Sequence, residues 1–112
     1  MQLEPSETQT LIQKTARDYA ERAIRPIAAE LEREERFPED VLRGLAELGL
    51  LGVNVQSRWG GAEAGAVAYA LAMIEISRAC ASTAGAMAVT NMVAEVIQEF
   101  GNDAQRERHL PM

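Results

Sequence analysis

Very few side chains in this chain have the chemistry to act as a site. His109 is its one histidine and Cys80 its one cysteine, so a zinc centre built from several nitrogen and sulfur ligands cannot come from a single copy. Serine hydrolysis needs a base beside the nucleophile. His109 lies far along the chain from Ser77 and Ser82, and no nucleophile-elbow pattern is present. No Gly-x-Gly-x-x-Gly follows a strand pattern, so dinucleotide binding of that type is unsupported.

Glu75 is the one odd charge, set in an otherwise apolar stretch where a desolvated carboxylate could act as a base. Arg78 follows one helical turn later. A carboxylate held by arginine has a lowered pKa, which suits a structural ion pair better than a base. Cys80 reads as a small buried hydrophobe at the end of an apolar helix, with no cationic cluster to activate it. His109 reads as a partly exposed residue near a helix C-terminus, where a cation is favourable. Trp59-Gly60-Gly61 is either a ligand lip or, more commonly for such a unit, a turn pinned by an aromatic plug. The small residues Ala79 to Ala86 let two helices touch, or let something thin slide between them.

These residues need helices to position them. Ser6 and Gln9 form a possible capping box, and Leu11, Thr15, Tyr19 and Ala23, with Ala20, Ile24, Ile27 and Leu31, recur at helical spacing to about Glu35. Pro26 must bend or split that rod near Arg22 to Arg25, because it removes a hydrogen bond. Phe37-Pro38 opens a second helix, Pro38 to Leu48, which Gly49 ends. Gly52-Val53-Asn54-Val55 is an extended connector leading to the Trp-Gly-Gly turn. A third helix, about Gly65 to Cys80, is apolar nearly all round, which predicts a central position. A fourth, about Ala84 to Phe100, carries Met87, Asn91, Val93, Ala94, Ile97 and Phe100 at helical spacings. Asn102 and Gln105 cap a short fifth helix that ends before Pro111. The fold class is all-α: an antiparallel bundle of about five helices with one long irregular connection between the second and third.

A chain of 112 residues makes one domain with one core. Aromatic residues are only 4% of it, so that core must rest on close contacts between small side chains. A net charge of −6 argues against nucleic acid or an anionic membrane as the main partner. Much of the acid, Glu30, Glu32, Glu34, Glu35, Glu39 and Asp40, is interleaved with Arg22, Arg25, Arg33 and Arg36, as on a solvated helix face. One cysteine fits a reducing compartment. Nothing at the start resembles a signal peptide, and the apolar run Ala64 to Ile74 is too short to cross a bilayer. The expectation is a cytosolic protein, or a mitochondrial one already stripped of a transit peptide.

Three patterns occur in a fixed order. They are Leu45-Ala46-Glu47-Leu48-Gly49-Leu50-Leu51-Gly52 running into Trp59-Gly60-Gly61, then Glu75-Ile76-Ser77-Arg78-Ala79-Cys80-Ala81-Ser82-Thr83, then Phe100-Gly101-Asn102 with Arg108-His109-Leu110-Pro111. Together, over essentially the whole chain, they resemble the N-terminal helical domain of the acyl-CoA dehydrogenases. The resemblance implies residues 1–112 as that domain alone, without the middle β-domain and the C-terminal helical domain. It implies FAD as cofactor and an acyl-CoA thioester as substrate, losing an α-proton to a carboxylate and a β-hydride to the flavin. It further implies an electron-transfer flavoprotein as partner and a homo-oligomer.

By this resemblance no catalytic residue lies in the chain, because the base belongs to the C-terminal domain, and the isolated chain is expected to be inactive and not to retain FAD. What carries over is the bottom of the acyl cavity. The turn between the third and fourth helices, Ser82, Thr83, Ala84 and Gly85, is expected to face the far end of the acyl chain. Family members acting on dicarboxylic acyl groups carry arginine near Ala84; its absence here, with Cys80-Ala81-Ser82-Thr83, points to short or branched acyl groups. Gln56, Ser57 and Arg58 precede Trp59 where the family often has proline and acidic residues, so loop contacts are not transferred. An oxidase or monooxygenase of the same superfamily, and a helical module that self-associates or completes a split flavoenzyme, are the competing readings. The last expects uncovered apolar surface around the third and fourth helices.

Overall fold

The computed structural model describes residues 4–34 and 39–111. Helix α1, Glu7–Tyr19, starts at the expected capping box: the Ser6 hydroxyl accepts from the Gln9 amide at 3.1 Å, and the Gln9 side chain accepts from the Ser6 amide at 2.8 Å. The helix then widens into a π-turn over Ala20–Ile24 and tightens into a 3-10 turn over Arg25–Ile27 before α2, Ala28–Arg33. This is the break that Pro26 imposes. Without an amide hydrogen, Pro26 cannot complete the ordinary ladder, and the chain changes pitch on either side of it.

Helix α3, Glu39–Glu47, ends as Gly49 requires. With Gly49 at φ +78, the Leu50 amide reaches back to the Leu45 carbonyl at 2.9 Å and the Gly49 amide to Ala46 at 3.0 Å. Leu45 and Leu50, both fully buried, are the apolar pair that closes this Schellman end. The expected proline start at Phe37-Pro38, and the expected end of the first helix at Glu35, lie outside the described residues. Helices α4, Ala66–Ala79, and α5, Ala81–Phe100, form a hairpin, and α6, Asp103–His109, is capped by the expected Asn102–Gln105 pair.

Among the described residues there is no strand, and with the bent α1–α2 rod counted once the helices number five. The core joins Ala16, Tyr19, Ala20 and Ile24 to Val41 and Leu45, to Ala68, Ala72 and Ile76 of α4, and to Ala84 and Met87 of α5. Alanines bring the rods close. Between α1 and α3 the same closeness falls to Gly44, where an added Cβ would collide with the Tyr19 ring, whose hydroxyl donates to the Val41 carbonyl at 2.8 Å.

Two expectations change here. The fourth helix begins at Ala81, not Ala84: Cys80 alone, in extended conformation, separates it from α4, and the Ala84 amide already bonds the Cys80 carbonyl. The third helix is not central all round. It buries Ala68, Ala72, Glu75 and Ile76 but exposes Val67 and Ile74. The reason is thickness. The molecule measures 41 × 35 × 19 Å, and two helix diameters fill its shortest dimension, so a helix in either layer keeps an outer face.

Candidate functional site

Glu75 sits on the buried side of α4 with only 3% of its surface exposed. Its main partner comes from α1: Arg17 donates through Nε to Oε2 at 3.1 Å and through Nη2 to Oε1 at 3.0 Å. Arg78, the partner expected from spacing, approaches only to 3.7 Å, and Gln13 adds a contact at 3.5 Å. The forked hydrogen bond from Arg17 holds the Glu75 carboxyl below its ordinary range, against the opposing effect of burial. A carboxylate so held is a poor proton acceptor. It is the ion pair that fixes α1 to α4.

The segment from Leu50 to Ala64 is ordered by α5. Instead of an extended connector, Gly52 to Val55 turns and is then met by the returning chain, with the Ala62 amide bonding Gly52, Glu63 bonding Val55 and Ala64 bonding Val53. Asn91 on α5, buried, accepts from the Val53 amide at 2.9 Å and donates to the carbonyls of Leu50 and Met87 at 3.0 and 2.9 Å. One and two turns on, Glu95 accepts from Asn54, and Gln98 accepts from the Gln56 amide at 2.7 Å. Trp59 packs against Val55, Ala94, Ile97 and Leu110, with Arg58 stacked 4.8 Å above its ring. The turn is therefore the pinned plug. Gly60 takes φ +91, and Gly61 passes so close to Val55 that a Cβ would strike its backbone carbonyl.

The four cavity candidates lie in the first turns of α5, not in an interhelical turn, and the helix divides them. Thr83 and Ala84 are buried, and the Thr83 hydroxyl has no hydrogen-bond partner among the described residues. Ser82 and Gly85 are exposed, and the space where a Gly85 Cβ would stand is open. Beyond them the outer face of α5 carries Val89, Val93, Val96 and Phe100, which are 55%, 48%, 52% and 82% exposed, with Met92 beside them. Of the residues at helical spacing on α5, Met87, Asn91 and Ala94 take the inward positions, while Val93 and Phe100 face out. At the end of this face, Val96, Ile97, Phe100, Gly101, Gln105 and His109 surround a groove of about 380 Å³. His109 is exposed at the end of α6, and Cys80 is half-buried against the core. No cluster of three metal-binding side chains occurs among the described residues. No helix there is long and apolar enough to cross a membrane.

The model of the family described as acyl-CoA dehydrogenase, N-terminal domain, matches residues 6–112. The chain belongs to the acyl-CoA dehydrogenase family. Short-chain specific acyl-CoA dehydrogenase of Bos taurus is 40% identical over 107 residues, covering 95% of this chain and 26% of that protein. The short-chain specific acyl-CoA dehydrogenase of Clostridium acetobutylicum is 31% identical, covering 91% of this chain and 27% of that protein. Among solved structures, butyryl-CoA dehydrogenase from Megasphaera elsdenii superposes with a TM-score of 0.89 at 25% identity, over 98% of this chain and 30% of that one. The chain thus spans about a quarter of the length of these curated relatives, and what it matches is their helical N-terminal domain.

Sequence reasoning missed the Arg17–Glu75 fork and the three-bond role of Asn91. Arg17 is 58 residues from Glu75 and Asn91 is 38 from Val53, so neither pairing leaves a local pattern. An isolated polar residue at an inward helical position was the available signal for both.

Proposed function

We propose that residues 1–112 act as the N-terminal domain of an FAD-dependent acyl-CoA dehydrogenase and form one wall of its acyl and flavin site. The observation that carries this reading is the outer face of α5, where Ser82 and Gly85 stand at the start of an uncovered apolar row on a chain that matches a quarter of its relatives. Such a face excludes water and lines an acyl chain without supplying polar groups that it would leave unpaired. The short-chain names of the relatives support a short acyl-CoA substrate, with an electron-transfer flavoprotein as the acceptor.

FAD, when bound, takes up the hydride. The isolated chain is expected not to retain the flavin, and no residue of it is assigned to the cofactor. Helix α5 holds no lysine or arginine that could pair with a pyrophosphate. No step is assigned to this chain beyond orienting the acyl group and keeping it dry, and Glu75, tied to Arg17, is not the base.

The test is a chimera in which residues 6–112 replace the matching segment of the Bos taurus short-chain protein. Expected is a flavin-containing protein that oxidises butyryl-CoA, losing that activity when Gly85→Leu fills the wall. A folded, flavin-loaded chimera inactive on every acyl-CoA would overturn the reading. The isolated chain is expected to show no flavin by native mass spectrometry and no turnover.

A further inference from the structure

Helices α1 and α6 begin at capping boxes, but α5 begins without one. Its N-cap is Cys80, whose side chain caps nothing among the described residues, and its third residue is Thr83, where Gln9 and Gln105 stand in the other two helices. The Thr83 hydroxyl is buried and has no partner among the described residues. Nor does a left-handed glycine close α4 as Gly49 closes α3. Cys80 is extended, and its amide ends α4 by bonding the Ile76 carbonyl at 3.0 Å. A one-residue corner without caps has to be held from elsewhere.

Glu75 lies one turn before that corner. Gln13 and Arg17, four residues apart on one face of α1, both reach its carboxylate, and the two bonds from Arg17 fix its orientation as well as its distance. Arg78 approaches the same carboxylate only to 3.7 Å and from α4 itself, so it ties α4 to no other helix. The Arg17 fork therefore resists both a slide of α4 along α1 and a turn of α4 about its own axis. Because Cys80 is the whole connection, either motion passes directly to the first turn of α5, where Ser82 and Gly85 stand. A slide of one residue is about 1.5 Å, and misplacement on the order of 1 Å is enough to alter how a substrate is held.

We infer that Glu75 and Arg17 are positioning residues for the acyl wall: they set where Ser82 and Gly85 stand, and through that the length of acyl chain that fits. The inference rests on the reading of α5 as that wall. Neither residue touches the acyl group, and both act through the α4–α5 corner.

Arg17→Lys is the first variant, because Arg17 is half exposed and lysine keeps the charge while losing the fork. Glu75→Gln is the second, and circular dichroism confirms that each is folded. The two hydrogen bonds that span the corner are those of the Cys80 and Ala84 amides. In the purified chain their exchange should accelerate by about tenfold or more, the loss expected for a charge-assisted bond. The Leu50 amide, at the glycine-closed end of α3, should not follow. In the chimera, both variants should lower the preference for butyryl-CoA over hexanoyl-CoA by about tenfold, the scale of a misfitted methylene, with kcat for butyryl-CoA kept within about threefold. Gln98→Ala, which loosens the far end of α5, is the control for general destabilisation and should leave the preference as in the parent.

Exchange that rises equally at Leu50, or a chain-length preference unchanged in the folded variants, would overturn the inference. A chimera inactive on every acyl-CoA would instead overturn the reading of the wall, and exchange at Cys80 and Ala84 would still decide whether the fork holds the corner.

Discussion

Helix α5 has two opposite sides that reverse the usual arrangement. Its inward side carries Asn91 among Met87 and Ala94 and, along the edge, Glu95 and Gln98, which tie down the Leu50–Ala64 segment through side-chain hydrogen bonds. Its outward side is a row of apolar residues facing solvent. From Asn91 onward the polar side is finished within this chain, because Asn91, Glu95 and Gln98 bond the backbone and the Asn54 side chain of the segment they hold. The apolar side is not finished. What this teaches is that the chain supplies its own scaffold but only half of an interface, as a family domain matching a quarter of its relatives' length would.

Asn91→Ala is the sharpest way to break the comparison. It strips the buried Val53 amide and Leu50 carbonyl of their partners and should cost about 3 kcal/mol, read as a lower urea midpoint with far-UV helicity retained. Next in size, Gly61→Ala should cost about 2 kcal/mol through the clash with the Val55 backbone, in the range of overpacked sites, again measured by urea unfolding. Gln98→Ala removes one exposed tie to the Gln56 amide and should cost about 1 kcal/mol; amide exchange at Gln56 should accelerate more than exchange in α4.

Glu75→Gln tests the other inward polar group. Its carboxyl is held low by Arg17, so its contribution is full above the ordinary carboxylate value of 4.5 and is lost as pH falls through the lowered folded value. The variant should therefore be less stable than the parent at neutral pH and show a flatter loss of stability below pH 4.5. At the small end, Val93→Ser on the outward side should change monomer stability by no more than about 0.5 kcal/mol. A cost near that of Asn91→Ala would mean the outer row is structural and the comparison fails.

Much of the scaffold is legible in the residues because its determinants are local. Ser6 with Gln9 and Asn102 with Gln105 cap helices three residues apart, Gly49 ends α3 by adopting a left-handed backbone, and Pro26 interrupts the first rod from its interior. The setting of the four cavity candidates was not legible in the same way. Ser82, Thr83, Ala84 and Gly85 were expected in an interhelical turn, but the helix runs through them and turns two inward and two outward. The reason is that Cys80 alone suffices to reverse the chain, which no local pattern specified.

By itself the sequence determined the caps that start α1 and α6, the glycine that ends α3, the break at Pro26, and an all-α bundle with a core rich in small side chains. Only the tertiary structure decided which face of each apolar helix is buried, that Arg17 rather than Arg78 holds Glu75, and that Asn91 faces in while Val93 and Phe100 face out. Caps and breaks depend on residues within one turn of each other, whereas the choice of face depends on which other helix arrives. In a slab 19 Å thick that choice leaves one side of α5 exposed among the described residues.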